Sequence, residues 1–319
     1  VKLPTQATGL NTTGLIYEIR HASDQDGPGL RTTIYFKGCP LDCWWCHEPE
    51  SQSPMPEMRY LEKRCVRCGD CVMKCPIEAI DLDGNTVTID REICIVCGTC
   101  VANCKSGARK IVGVKKSAEE VLAEIELDQA VFEQSGGGVT FSGGEPLMQH
   151  PFLMALLKGC KARGIHTALD TSGFAPWEIF ESVLPYTDLF MFDIKMVDEE
   201  RHIQFTGVSN ELILQNLKTL SDLEKPLILR APIISGINDD TQHLNDLCDL
   251  AAGLHLQSVE IIPYQPASEA QYESIAHTDR MPDLTMPSEE NIQLLTLRLR
   301  EAGISVSIIV RPLHNCLEE

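Results

Sequence analysis

Eleven of the 14 cysteines in this chain of 319 residues stand in three tight groups, a pattern that ties the fold to metal centres. With no secretory signal in view, closely spaced cysteines point to metal ligation ahead of disulfides. The first group, Cys39, Cys43 and Cys46, lies in the run Gly38-Cys-Pro-Leu-Asp-Cys-Trp-Trp-Cys-His47. Its Cys-x3-Cys-x2-Cys spacing offers three thiolates, whereas a cubane iron–sulfur cluster is normally held by four. One iron is then left open. An open coordination position is where chemistry takes place rather than where structure is stapled.

The other two groups repeat one another. Cys65-x2-Cys68-x2-Cys71-x3-Cys75-Pro76 returns 29 residues later as Cys94-x2-Cys97-x2-Cys100-x3-Cys104. The repeat resembles the bacterial two-cluster ferredoxin, in which the fourth cysteine of each run ligates the other cluster. That resemblance implies one [4Fe–4S] cluster on Cys65, Cys68, Cys71 and Cys104, and a second on Cys94, Cys97, Cys100 and Cys75. Zinc sites also use Cys-x2-Cys, but two matched four-cysteine runs with a proline after the first fit a zinc ribbon poorly. Cys160, Cys248 and Cys316 are isolated; the first two fall in helical patterns and read as small buried hydrophobes.

Charge narrows the partners. The chain carries 27 Lys and Arg against 46 Asp and Glu, a net charge of −19, which argues against nucleic acid or an anionic membrane as a partner. No run approaches the ~18 consecutive apolar residues that span a bilayer. Val1 to Asn11 lacks a basic region followed by an apolar one, so no signal peptide is expected. The sequon at Asn11 is then a chance match, and the expected location is the cytoplasm.

Outside residues 61–105 the chain alternates strand and helix patterns. Strands are expected at Arg31–Lys37, Gly138–Phe141, His166–Leu169, Leu189–Phe192, Leu227–Arg230, Val259–Ile262 and Ser305–Ile309. Amphipathic helices lie between them, among them Ser117–Glu133, opened by the capping pair Ser117 and Glu120, and Ser288–Ala302, stopped by Gly303. Such βα repeats give a parallel sheet. The expected fold is α/β: a partial TIM-like (β/α)6 barrel from residues 1–60 and 106–319, with 61–105 inserted as a ferredoxin-like unit. The polar motifs all fall at the C-terminal ends of strands, the active-site face of such barrels. They are the Cys39 turn, Ser142-Gly143-Gly144-Glu145-Pro146, Asp170-Thr171-Ser172-Gly173, Asp193-Ile194-Lys195, Arg230 and Pro263-Tyr264-Gln265.

Cys-x3-Cys-x-aromatic-Cys resembles the signature of the radical S-adenosylmethionine (SAM) enzymes. Three further features narrow the likeness: Asp26-Gly27-Pro28-Gly29-Leu30-Arg31, the ferredoxin-like insert, and Thr206-Gly207-Val208-Ser209-Asn210 continuing into Ile213–Leu217. Together they resemble the glycyl radical enzyme activating enzymes with an inserted ferredoxin domain. The resemblance implies that the cluster on Cys39, Cys43 and Cys46 binds the amino and carboxylate groups of SAM. Trp45, Cys46 and His47 would pass the adenine, and Gly143, Gly144 and Glu145 would serve the methionyl ammonium. Asp193, Ile194 and Lys195 would serve the carboxylate and ribose region, with Arg230 and Gln265 completing the cofactor-binding set. Asp170, Thr171, Met191 and Asp193 match a monovalent-cation site of the pyruvate formate-lyase activator. Gln265 stands where the family commonly has His, so it cannot titrate near neutrality.

The implied reaction uses three [4Fe–4S] clusters and an external reductant, flavodoxin or ferredoxin. SAM is cleaved to methionine and a 5′-deoxyadenosyl radical, which abstracts hydrogen from a backbone glycine of a partner glycyl radical enzyme. The Asp26–Gly29 turn is the candidate contact for that glycine loop. Two other readings remain at this point: a radical SAM enzyme acting on another protein or a small molecule, and an electron-transfer protein.

Overall fold

The computed structural model describes residues 9–84, 86–265, 269–281 and 283–310, with no side-chain description for 269 and 270. Val1, Cys316 and the loop residues Pro266, Ala267 and Ser268 lie outside these limits.

Thirteen strands are seen among the described residues. They are β1 (Thr13–Ser23), β2 (Arg31–Phe36), β3 (Glu57–Tyr60), β4 (Ile80–Asp83), β5 (Thr86–Ile89), β6 (Arg109–Val112) and β7 (Val114–Ser117). β8 (Gly138–Gly143), β9 (Thr167–Thr171), β10 (Leu189–Asp193), β11 (Leu227–Ile233), β12 (Ser258–Pro263) and β13 (Val306–Ile308) follow. Nine of them form one sheet in the order β13-β12-β11-β10-β9-β8-β2-β1-β7. From β2 to β13 every neighbour is parallel. The two ends of the sheet do not pair with each other, so it is an open, partial barrel.

Every expected strand is present; β2 and β8 to β12 are largely buried on both faces, as parallel strands between helices must be, whereas the edge strand β13 is partly exposed. β10, with Leu189, Phe190, Met191 and Phe192 all buried, is typical. Two strands of this sheet, β1 and β7, were not anticipated, nor were β3 to β6 outside it. β1 runs antiparallel to β2 and carries β7 on its outer edge. Glu18, Arg20 and His21 interrupt its apolar residues, which hides it from a search for apolar runs.

The expected helix Ser117–Glu133 is two helices, Ala118–Glu126 and Gln129–Ser135. The capping box of Ser117 and Glu120 forms, with bonds of 2.7 and 3.2 Å. The break falls at Leu127 and Asp128, where the Asp128 carboxylate accepts from Thr32 Oγ1 at 2.5 Å and meets His21 Nδ1 at 2.5 Å. A tertiary anchor overrides the helical pattern there. The helix Glu289–Glu301 forms as expected, capped by Ser288 and burying Ile292, Leu295 and Leu299.

Between β2 and β7 a small unit folds on its own core of Met58, Ile80 and Cys100. The pair β3 and β6 closes its base, outside the 61–105 limits, and β4 and β5 form a hairpin. The sequence repeat is also a structural one. The short helices Asp70–Lys74 and Thr99–Ala102 each follow a left-handed glycine, Gly69 at φ 78° and Gly98 at φ 80°.

Candidate active site

Six parallel strands end on one cleft of about 1030 Å³. Cys39, Cys43, Trp45, Cys46 and His47 line it after β2, Ser142 to Gly144 at the end of β8, and Asp170 to Ser172 at the end of β9. Asp193 and Lys195 come from β10, Pro232 from β11, and Pro263 and Tyr264 from β12. The three cysteines of the first group therefore share one wall with most of the expected polar motifs.

The cysteine turn is held from both sides. Gly38 N–H donates to the Ser51 carbonyl at 2.6 Å and Cys39 N–H to that of Gln52 at 3.0 Å. Asp42 N–H donates to the Thr206 carbonyl at 2.8 Å and Trp44 N–H to that of Phe205 at 3.0 Å. Thr206 ends the helix Glu199–Thr206 at Gly207, which explains the Thr206–Gly207 motif: it stops a helix so that its last carbonyls meet the turn. Burial pushes the Cys39 thiol up to about 12 and the Cys43 thiol up to about 11, and raises Cys46 as well. Metal loading must therefore displace protons from these thiols.

Gly143 and Gly144 are required by their own chain. A Cβ on Gly143 would lie 2.4 Å from Phe36 N, and one on Gly144 would lie 2.2 Å from the Gly38 carbonyl oxygen. Their small size brings the β8 loop against the cysteine turn, with Glu145 N–H donating to the Gly38 carbonyl at 2.8 Å. Glu145 lies behind the cleft and is fully buried. Its carboxylate accepts from Thr171 Oγ1 at 2.9 Å, Ser172 N–H at 2.9 Å, Ser172 Oγ at 2.7 Å and Leu147 N–H at 3.1 Å. Burial raises its carboxyl, and these bonds oppose the rise.

Lys195 Nζ lies 2.5 Å from Asp193 Oδ2, while Asp193 Oδ1 is buried with no hydrogen-bond partner. Burial would lower the lysine, but the charges of Asp193 and Cys43 prevail and raise it. Asp170 Oδ2 accepts from Ser142 Oγ at 2.7 Å and from Arg230 Nη1 at 2.9 Å. Arg230 is fully buried behind the cleft and also binds Glu260 Oε2 and the Gln25 carbonyl. Trp45 lines the cleft while packing among Met196, Ile234, Ile237 and Tyr264. Ile194 and Met191 are core residues outside the lining, and Gln265 is also outside it. In the Asp26–Gly29 turn, the Asp26 carboxylate accepts from Ser23, Thr33 and Tyr35, and Arg31 holds the Pro28 carbonyl at 3.0 Å.

A set of residues that the sequence gave no reason to select grips the turn from behind. Tyr272, on the helix Glu269–Ser274, donates its hydroxyl to the Cys46 carbonyl at 2.6 Å. Gln271 Nε2 donates to the His47 carbonyl at 3.2 Å and to Glu50 Oε2 at 2.9 Å. Arg91, from the small unit, bonds both the Met58 and the Ser274 carbonyls. More than 200 residues of sequence separate the helix from the turn, and nothing local marks the pairing.

The eight remaining grouped cysteines gather in crossed quartets. Cys65, Cys68, Cys71 and Cys104 line one space of about 380 Å³, and Cys75, Cys94, Cys97 and Cys100 line another of about 330 Å³. Among the described residues no His, Cys, Asp or Glu groups close on a single-ion position.

The Radical SAM superfamily profile matches residues 33–248. The chain is 43% identical over 292 residues to the trans-4-hydroxy-L-proline dehydratase activating enzyme of Clostridioides difficile, covering 91% of this chain and 96% of that one. It is 37% identical over 302 residues to the (2S)-3-sulfopropanediol dehydratase activating enzyme of Klebsiella oxytoca, with 91% and 95% covered. To the benzylsuccinate synthase activating enzyme of Thauera aromatica it is 39% identical over 305 residues, with 92% of each covered. The solved structure of Streptococcus suis SuiB bound to the precursor peptide SuiA matches 88% of this chain and 48% of its own, at TM-score 0.53 and 13% identity, a likeness of fold alone. The chain belongs to the radical SAM superfamily and, within it, to the activating enzymes of glycyl radical enzymes.

Proposed function

We propose that the cleft holds SAM against the turn of Cys39, Cys43 and Cys46, and that a glycine loop of the partner enters from the open side of the barrel. The observation that carries this reading is the meeting of three thiols with the ends of all six strands in one cleft. Cys39, Cys43 and Cys46 would hold a [4Fe–4S] cluster that, when bound and reduced, would supply the electron for splitting SAM into methionine and a 5′-deoxyadenosyl radical able to take a hydrogen atom from the partner's glycine. The chain's own task is positioning and exclusion of water and oxygen. Lys195 places positive charge opposite the SAM carboxylate, and Asp193 Oδ1, buried and unpartnered, is free to accept from the cofactor or to ligate an alkali cation with Asp170 and Thr171. Trp45 and the backbone at Cys46 and His47 flank the adenine. Gly144 and Glu145 hold the loop that meets the methionyl group. The Asp26–Gly29 turn, pinned by Arg31, presents a fixed surface to the glycine loop.

Two [4Fe–4S] clusters in the crossed quartets would make three in all and supply electrons from flavodoxin or ferredoxin. No described helix is long and apolar enough to cross a membrane. Membership of the activating enzymes sets aside the electron-transfer and small-molecule readings.

For the partner, a trans-4-hydroxy-L-proline dehydratase is the first candidate, since the relative named for it is 43% identical, against 37% and 39% for two others. The test mixes the reduced, reconstituted protein and SAM with a panel of glycyl radical enzymes under electron paramagnetic resonance (EPR). A glycine-centred doublet on the hydroxyproline dehydratase supports the assignment; a doublet only on another member of the panel overturns it.

A further inference from the structure

We propose that Arg109 is the charge partner of the site formed by Cys65, Cys68, Cys71 and Cys104, and that it raises the reduction potential of that site above its neighbour's. The proposal rests on the reading of both quartets as iron–sulfur sites. Arg109 opens β6 and is 2% exposed, yet its Nη1 and Nη2 atoms are buried with no hydrogen-bond partner. Its guanidinium lies over the Tyr60 ring at 4.9 Å. A guanidinium is a permanent cation with five donors, and leaving one buried and unpaired is strongly destabilising.

Of the other buried arginines among the described residues, Arg59 has Nη2 on Glu50 with Nε unpartnered, and the two most deeply buried bond through several nitrogens. Arg31 bonds Thr140 and the Pro28 and Val139 carbonyls, and Arg230 bonds Asp170, Glu260 and the Gln25 carbonyl. Arg109 instead forms part of the wall around Cys65, Cys68, Cys71 and Cys104. Four thiolates around an iron–sulfur core make an anion, and reduction adds one negative charge. A fixed cation in the wall favours the reduced form, and burial keeps solvent from screening the attraction.

The internal repeat supplies the comparison. Counting 29 residues back from Arg109 reaches Ile80, which holds the matching place in the wall of the other quartet. That second wall is apolar, built from Met58, Ile77, Ile80, Ile89 and Ile95. Two sites that look alike in cysteine spacing are therefore unequal in charge at this buried matched position; Arg67, exposed and paired with Glu62, and Asp70 also line the first space, where Val96 matches Arg67 in the second. An electron delivered to the small unit rests preferentially beside Arg109. Arg109 lines the first space and not the second, although its charge also opposes the rise that burial imposes on Cys100 of the second quartet.

The test is an EPR-monitored potentiometric titration of the full-length, anaerobically reconstituted protein, poised with dithionite and mediators after iron and sulfide are counted. With Arg109→Ile, which puts the residue of the matched position in the second wall into the first, the higher-potential step should fall by at least about tenfold in its reduction equilibrium, about 59 mV for one electron. Arg109→Lys should recover most of that shift, and Arg109→Gln carries the same test if the isoleucine variant does not load. A fully loaded Arg109→Ile or Arg109→Gln protein with unmoved steps overturns the proposal. An iron count of only four per native chain overturns the underlying reading of the quartets, and the proposal with it.

Discussion

Replacing Glu145 separates two views of a buried carboxylate. Its Oε1 accepts from Leu147 N–H and its Oε2 from Ser172 N–H, so both oxygens face backbone donors that cannot turn away. The hydroxyls of Thr171 and Ser172 add two more donors, and these can rotate. In Glu145→Gln, either amide orientation sets an NH2 group against a backbone N–H. One donor is then unsatisfied at a cost of ~1–3 kcal/mol, partly offset because no charge is buried. The net expectation is a loss of about 2 kcal/mol for Glu145→Gln. Glu145→Ala, which strands both backbone donors, should lose about 4 kcal/mol. Chemical unfolding of the metal-free chains at pH 8 measures both, and binding of SAM to the reconstituted proteins should weaken in the same order. A Glu145→Gln protein as stable as the native one, or more so, would refute the argument. It would mean that burial of the charge, which raises the Glu145 carboxyl, outweighs the hydrogen bonds that fix the loop.

Tyr272→Phe removes one buried bond to the Cys46 carbonyl and should raise KM for SAM about fivefold, from ~1 kcal/mol, with kcat little changed. An unchanged KM would show that the helix does not position the turn. His243, 2% exposed with Nδ1 unpartnered, is lowered to about 4 by burial and then by Arg201. The unfolded chain therefore takes up a proton that the folded one refuses. Stability from this residue is whole above pH 6.5 and falls as the pH drops toward 4. His243→Leu should remove up to about 3 kcal/mol of that acid sensitivity in urea melts at pH 7 and pH 4.5, and parallel pH profiles for the two proteins would count against it.

Much of this architecture is legible in the chain. β2 and β8 to β12 announce themselves because strands buried on both faces must be apolar throughout, and their polar ends mark the cleft. The crossed quartets were implied by the ferredoxin likeness, and the cysteines gather in those same sets. What the sequence hides depends on distance along the chain. β1 escapes because Glu18, Arg20 and His21 interrupt its apolar residues, and the break at Asp128 escapes because its cause is Thr32, 96 residues away. Gly143 and Gly144 were expected to serve the methionyl ammonium of SAM. Their contacts show that they make room first for Phe36 and Gly38. Tyr272, Gln271 and Arg109 carry no motif, and only the folded chain brings them to the sites they serve.

The central claim is that the turn of Cys39, Cys43 and Cys46 is where SAM is reductively cleaved. It is tested most directly by counting 5′-deoxyadenosine formed by the reduced, reconstituted native protein and by Cys43→Ala, with EPR spectra recorded before and after SAM. The native protein should form 5′-deoxyadenosine and change its reduced-cluster spectrum on adding SAM, while Cys43→Ala, with both quartets intact, should do neither. Cleavage that persists in Cys43→Ala, or a native spectrum indifferent to SAM, would contradict the account.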